Sequence, residues 1–225
     1  VKYLLEVREV SKSYGEERIL DAVSLVLEPG KSLAITGQSG GGKTTLLSII
    51  GLLQQATSGA VIVDGCDAGG LEPSRQAALR SACFGFVFQR ARLIHSLTAL
   101  ENVLVPAWLT RAGKAAEVRA RELLGRFGLE ERLHYRPQEL SIGQLRRVAL
   151  ARALLLKPKV ILADEPTNDL DPAIAAEVAD CLLETCGSGA GLILVTHDPG
   201  LAARADINLH LQQGCLFEQR RTVHA

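Results

Sequence analysis

Neither sign of charge dominates this chain: Lys+Arg and Asp+Glu both number 25, so the formal net charge is zero. A dedicated nucleic-acid binder would show a basic excess or stripe to neutralise phosphates, and the balance argues against one. Long apolar runs are missing too. With no stretch approaching 18 uninterrupted apolar residues, the sequence predicts no unaided crossing of a bilayer. The opening segment VKYLLEVREV alternates with charges and lacks a long apolar core, which predicts no signal peptide. Cys66, Cys83, Cys181, Cys186 and Cys215 form no C-x-x-C pair, and the five histidines form no metal-ligand spacing. Reduced, mostly packed thiols and a cytosolic location are the expectation. Low-complexity runs and internal repeats are absent as well. What remains is a chain of 225 residues, 47% hydrophobic, able to bury a substantial core as one large domain or two closely packed subdomains.

The strongest positive signal is GQSGGGKTT, Gly37 to Thr45. It fits G-x-x-x-x-G-K-[ST], the P-loop, whose backbone N–H groups wrap the phosphates of a nucleotide. Gly37, Gly40, Gly41 and Gly42 let the chain turn with no Cβ between backbone and phosphate. Gln38, Ser39 and Thr45 complete the expected cradle. Lys43 would place its charge between the β- and γ-phosphates, and Thr44 would offer a hydroxyl to Mg²⁺. Apolar SLAIT (32–36) leads in as a buried strand, and TLLSII leads out as a helix whose N-terminus favours an anion.

Strands are predicted near residues 4–7, 23–27, 60–63, 84–88, 160–163 and 192–195, with turns at Pro29-Gly30, Ser58-Gly59 and Asp64-Gly65. From about Leu100 to Leu156 the pattern is helical, and Ala120, Leu123, Leu124 and Phe127 share one face of a helix ending near Gly128. A further helix carries Ile174, Val178 and Leu182 on one stripe. Such alternation implies an α/β fold with a parallel sheet covered on both faces. The helical stretch after Gln89 reads as an insertion into that core.

VILADE (160–165) describes a buried strand ending in two carboxylates, the Walker B pattern. Asp164 would hold the Mg²⁺ shell, and Glu165 is placed to polarise an attacking water as general base. LSIGQ (140–144) precedes the helical run RRVALARALL; Ser141, Gly143 and Gln144 at a helix start suit capping a γ-phosphate already held by another P-loop. Gln89 closes the FVFQ strand, where its amide could reach the metal or water. His197 ends a third apolar strand and could hydrogen-bond the γ-phosphate, since ligands sit at the carboxyl ends of parallel strands.

Taken together, these segments resemble the ATP-binding cassette (ABC) ATPase subunit of a membrane transporter, from about Leu4 to Leu216. The matching features are Tyr14, the Walker A loop at 37–44, Gln89, the signature at 140–144, Walker B at 160–165, Leu170-Asp171 of the D-loop and His197. The resemblance implies a RecA-like P-loop NTPase core with an antiparallel β subdomain (about 1–88 and 157–225) and an inserted helical subdomain (about 89–156). It also implies a head-to-tail homodimer sandwiching ATP and Mg²⁺, with Asp171 at the shared interface and Tyr14 stacked on adenine. Transmembrane permease subunits are the implied partners, holding the chain peripherally on the inner face of the cell membrane. TLLSIIGLLQQATSG (45–59), FGFVFQ (84–89), LTALENVLVP (97–106), RPQELS (136–141) and LADEPT (162–167) resemble the lipoprotein-releasing, macrolide-exporting and cell-division subgroup. The chain departs from the pattern twice: Ile142 stands where the signature has its first Gly, and Asn168-Asp169-Leu170-Asp171 stands where the subgroup reads G-N-L-D. Two other classes stay in view. A soluble ABC ATPase of translation or DNA repair needs two cassettes or a coiled coil, which do not fit. A regulatory module that moves no cargo or does not turn over has Glu165 and His197 against it.

Overall fold

The computed structural model describes residues 2–219 apart from Arg111 and Asp169; the Asp169 departure noted above therefore lies outside the described residues. Strands β1 (Leu5–Tyr14) and β2 (Glu17–Leu27) form an antiparallel hairpin in which Leu5 faces Leu27 and Tyr14 faces Glu17. Gly15, at φ +59°, turns the chain between them where a Cβ would be strained. Both strands outrun the predicted spans 4–7 and 23–27. Most of their extra residues are polar and exposed or half-buried, with Val10 and Leu20 buried singly among them, so no regular apolar alternation announces them.

Then follow β3 (Ser32–Gly37), α1 (Lys43–Ile50), β4 (Ser58–Val63), β5 (Cys66–Asp67), α2 (Pro73–Cys83) and β6 (Phe84–Val87). Helices α3 (Ala99–Thr110), α4 (Ala115–Arg126) and α5 (Ile142–Leu154) occupy the stretch read as helical. Gly128 (φ +65°) sits just beyond the end of α4, as its sequence predicts. The chain continues through β7 (Val160–Asp164), α6 (Pro172–Cys186), β8 (Gly191–Val195), α7 (Pro199–Ala203), β9 (Ile207–Gln212) and β10 (Cys215–Glu218). The sequence reading missed α2, α7, β9, β10 and the two-residue β5. Of α2 only Cys83 is buried, while β9 and β10 are mostly half-exposed, so the hydrophobic signal is weak there.

The strands make a four-stranded antiparallel sheet, β2-β1-β4-β5, and a six-stranded sheet, β10-β9-β3-β8-β7-β6, parallel except at β10. Every residue of β7 and β8 is buried, as expected of a parallel sheet covered on both faces. Alternate residues serve two cores. Leu33, Ile35, Val160, Leu162, Ile193 and Val195 pack with α1 and the antiparallel sheet. Ala34, Ile161, Ala163, Leu192 and Leu194 pack with the helices that follow β6. The five cysteines are free thiols, three of them buried, and burial pushes Cys181 up to about 11.

The edge of β3 away from the phosphate loop is pinned by Asp206, which accepts from Ser32 N at 2.8 Å and Ser32 Oγ at 2.7 Å. The backbone hydrogen bond from Ser32 is the main cause holding this carboxyl below its usual value. A depressed folded-state pKa stabilises above the unfolded value of about 3.9 and is lost as pH falls through the folded one. With the Asp206 side chain 41% exposed, solvent screens part of this contribution, and Asp206→Ala is expected to cost about 1 kcal/mol at pH 7 through the lost Ser32 hydrogen bonds. In parallel urea titrations the gap to the parent should close below about pH 4; a gap constant with pH would exclude the carboxylate as its source.

Candidate nucleotide site

The carboxyl ends of β3, β7 and β8 lie side by side, with Ile35 in register with Val195 and Val195 with Asp164. The chain leaves β3 at Gly37 and re-enters helix at Lys43, so residues 38–42 form a loop capped by Gly42 in left-handed backbone at φ +91°. An added Cβ at Gly42 would come within 2.9 Å of Ile19, so β2 lies directly against the loop. At Gly37 (φ +148°) a Cβ would run into the carbonyl of Leu211 in β9. Lys43 is buried, and its Nζ donates to the carbonyls of Gly37 and Gln38 at 2.9 Å each. Two carbonyl dipoles orient this cation and leave most of its charge for an incoming anion. Gln38, Ser39 and Gly40 are exposed, Gly41 and Thr45 are half-buried, and Gly41 N donates back to Gln38 O at 3.1 Å.

The first residue after Lys43 meets the second motif. Thr44 Oγ1 donates to Asp164 Oδ2 at 3.0 Å across 120 residues of sequence. Burial pushes the Asp164 carboxyl up and neighbouring Glu165 adds to this, while the Thr44 hydrogen bond, Lys43 and Arg92 pull it down. A hydroxyl and a carboxylate in contact at the end of an apolar strand form a hard, all-oxygen donor set, the chemistry Mg²⁺ prefers. Glu165 turns out of β7 with φ +46°, a left-handed conformation few non-glycine residues adopt. Its N–H donates to Val195 O at 2.9 Å, and its Oε2 lies 2.9 Å from His197 Nδ1. The side chain of Glu165 is 13% exposed and that of His197 65%, so the pair joins a sheltered carboxylate to a histidine open to solvent. Gln89 lines a cleft of ≈ 500 Å³ with Thr44, Ser48, Arg92 and Asp164, which brings it to the same edge of the sheet.

Three predicted groups stand outside this cluster. Tyr14, half-exposed, lies at the tip of the β1–β2 hairpin, accepts a hydrogen bond at its hydroxyl from Gln54 and carries Lys12 Nζ 5.1 Å from its ring centroid. Ser141 caps α5 in a reciprocal pair with Gln144: Gln144 N donates to Ser141 Oγ at 3.3 Å and Ser141 N to Gln144 Oε1 at 2.9 Å. Gly143 is buried against α6, where an added Cβ would meet Ile174 Cδ1 at 2.6 Å, whereas Ile142 is 62% exposed. Asp171 caps α6, its Oδ1 accepting from Ala173 N and Ile174 N at 3.1 Å. The sequence reading missed the supports of the phosphate loop, Thr36 Oγ1 to His210 Nδ1 at 3.0 Å and Leu211 behind Gly37. It also missed Arg92 beside Asp164. A cation three residues past Gln89 was the signal available for the last; the others depend on strand pairing across the sheet.

A phosphate loop backed by a buried lysine, with an acidic strand end against its threonine, defines a P-loop nucleoside triphosphatase. Residues 20–168 match the family described as ABC transporter. The chain is 41% identical over 218 residues to the lipoprotein-releasing system ATP-binding protein LolD of Porphyromonas gingivalis, covering 96% of this chain and 100% of that one. It is 45% identical over 224 residues to the macrolide export ATP-binding/permease protein MacB of Photorhabdus laumondii, covering 97% of this chain and 35% of that protein. The chain thus spans about a third of the length of the MacB relatives it matches. Among solved structures, the ATP-binding cassette MJ0796, described as dimeric, post-hydrolysis and bound to ADP and Pi, superposes with a TM-score of 0.90 at 36% identity, covering 96% of this chain and 98% of that one. The chain belongs to the ABC transporter family and is one of its ATP-binding, ATP-hydrolysing cassettes, with the P-loop NTPase fold of that family.

Proposed function

We propose that two copies of this cassette close head to tail around two ATP molecules beneath a membrane permease, and so drive export or extraction of a lipoprotein, peptide or hydrophobic compound. The observation that carries this reading is the orientation of the signature segment. Ser141 and Gln144 are hydrogen-bonded to each other and Gly143 rests on α6, while Ile142 projects into solvent. A segment built this way offers its exposed side to a second molecule. The dimeric MJ0796 structures and the transport systems named in the LolD and MacB relatives support the same reading.

In this reading Thr44, Asp164 and Gln89 hold Mg²⁺, which when bound supplies charge neutralisation at the β- and γ-phosphates. Lys43 and the N–H groups of residues 37–45 position the phosphates. Glu165 takes the proton from the attacking water, and His197 leaves Glu165 to donate to the γ-phosphate. Ser141, Gly143 and Gln144 of the partner copy cap that phosphate, with Asp171 at the shared interface. Helices α3–α5 face the permease, which places the cassette peripherally on the cytoplasmic side of the membrane. Among the described residues no helix is long and apolar enough to cross a membrane.

The test is turnover against concentration. The isolated chain is expected to be slow and cooperative in protein concentration, and faster when a permease tethers two copies and raises their effective concentration. Full-speed, non-cooperative turnover by a dilute monomer would sink the paired mechanism. Ile142→Gly is expected to keep the fold and to hold or raise this rate, because bulk at a closing interface is removed; a fall would instead mark Ile142 as packing on the partner copy.

The adenine platform gives a separate check. A base stacked on an aromatic side chain is worth about 1–3 kcal/mol, so Tyr14→Ala is expected to weaken ATP binding about tenfold or more, with Tyr14→Phe and Tyr14→Trp close to the parent. Calorimetric titration decides it: equal affinity in the Ala variant makes Tyr14 a turn residue. Stacking discriminates bases poorly, and some GTP use is expected.

A further inference from the structure

The segment carrying Gln89 is tied to the helix carrying Ser141–Gln144, and the ties are three backbone carbonyls. Arg146, buried in the second turn of α5, donates from Nη1 to Phe88 O at 2.8 Å. Arg152, in the last turn, donates from Nη2 to Ala91 O at 2.8 Å and from Nη1 to Arg92 O at 3.0 Å. The two arginines stand six positions apart on the helix, about 9 Å along the axis. A loop gripped at two such points on one rod cannot slide or rotate independently of it. The loop's own conformation agrees with restraint: Arg92 is held at φ +46° with its guanidinium 5.2 Å from the Phe88 ring centroid. Such a backbone persists in a non-glycine residue only where its surroundings over-determine it. At the lower end of the rod, Gly85 in β6 lets α5 approach so closely that an added Cβ would lie 2.5 Å from Ala153 O. This contact makes a fixed bearing at the end of α5 remote from the signature.

We propose that Arg146 is a positioning residue that makes the Gln89 loop and the signature segment move as one body about that bearing. Nucleotide sensed at Gln89 then sets the orientation of Ser141–Gln144 toward the partner copy. The proposal rests on the reading of Gln89 as a nucleotide contact and of residues 141–144 as a cap. Guanidinium suits the task because its planar fork fixes both distance and direction to a carbonyl, which a lysine ammonium does less well.

Hydrogen exchange on the full chain, read by mass spectrometry with and without Mg²⁺ and a non-hydrolysable ATP analogue, tests it. In the parent, peptides spanning 37–45, 88–94 and 140–147 are expected to gain protection over the same nucleotide range. In Arg146→Ala the first two should still respond, with analogue affinity within about twofold of the parent, while the response at 140–147 falls about fivefold or more. Arg146→Lys should recover part of it. Arg146→Gln, which keeps a polar group in the buried position, is held to the same outcomes as Arg146→Ala should the latter fail to fold. A parent-like response at 140–147 in these variants overturns the clamp alone. Loss of protection in all three peptides together with weaker binding also overturns it, because Arg146 would then be a general support. Protection of 37–45 in the parent without any at 140–147 overturns the capping reading and the proposal with it.

Discussion

Glu165→Gln is expected to bind ATP and to hold it uncleaved, with turnover reduced about 10²–10⁴-fold, the usual worth of a positioned general base. The amide keeps the size of the carboxylate and its ability to accept from His197 N, which lies 3.3 Å from Oε2. What it loses is the capacity to take a proton from water. ATP should accumulate between two copies, so the variant should elute as an ATP-dependent dimer on gel filtration where the parent does not. Near-parental turnover in the variant would remove Glu165 from the role of base.

Lys43→Ala should act one step earlier, on binding. Hydrogen bonds to charged groups contribute about 1.5–3 kcal/mol each, so ATP affinity is expected to fall about 10–100-fold or more. The damage extends beyond the missing charge, because Gly37 O and Gln38 O lose their donor and the loop loses the tie that holds it closed. Lys43→Arg should rescue poorly: a planar fork cannot occupy the space of an ammonium sitting between two carbonyls 2.9 Å away. Titration with a fluorescent ATP analogue separates the two variants, since Glu165→Gln should bind about as tightly as the parent. Unchanged affinity in Lys43→Ala would show that the backbone cradle alone holds the phosphates.

The central strands could be read from sequence because a parallel sheet needs continuous apolar runs, and SLAIT, VILAD and LILV are such runs. The meeting of Thr44 with Asp164 was implied by two motifs, each complete within a few residues. Other parts depend on tertiary pairing that no local pattern encodes. Ser32 and Asp206 meet across 174 positions, and neither residue is unusual in its own neighbourhood. Arg146 and Arg152 belong to a helix rich in arginine, where periodicity assigns charge to the solvent side; burial against loop carbonyls reverses that expectation. The strands β9 and β10 escaped notice because they form the half-exposed margin of the sheet. The subgroup resemblance rests on segments around the site, and Ile142 is where the chain's own chemistry differs from it.

The place of β3 in its sheet bears on how the molecule is made. Its two neighbours are β8 and β9, at residues 191–195 and 207–212, so strand 32–37 has no sheet partner until residues 191–195 have been made. At about 5–20 residues per second on a ribosome, the wait is roughly 10–30 s. During that interval the β1–β2 hairpin can form locally, but the apolar run of β3 stands unpaired and open to mispairing. The wall behind Gly37, supplied by Leu211, is delivered later still. Competence to hold a nucleotide is therefore acquired only after Leu211 has been made, and a nascent chain stalled before residue 191 carries the whole phosphate-loop sequence without the surface that shapes it.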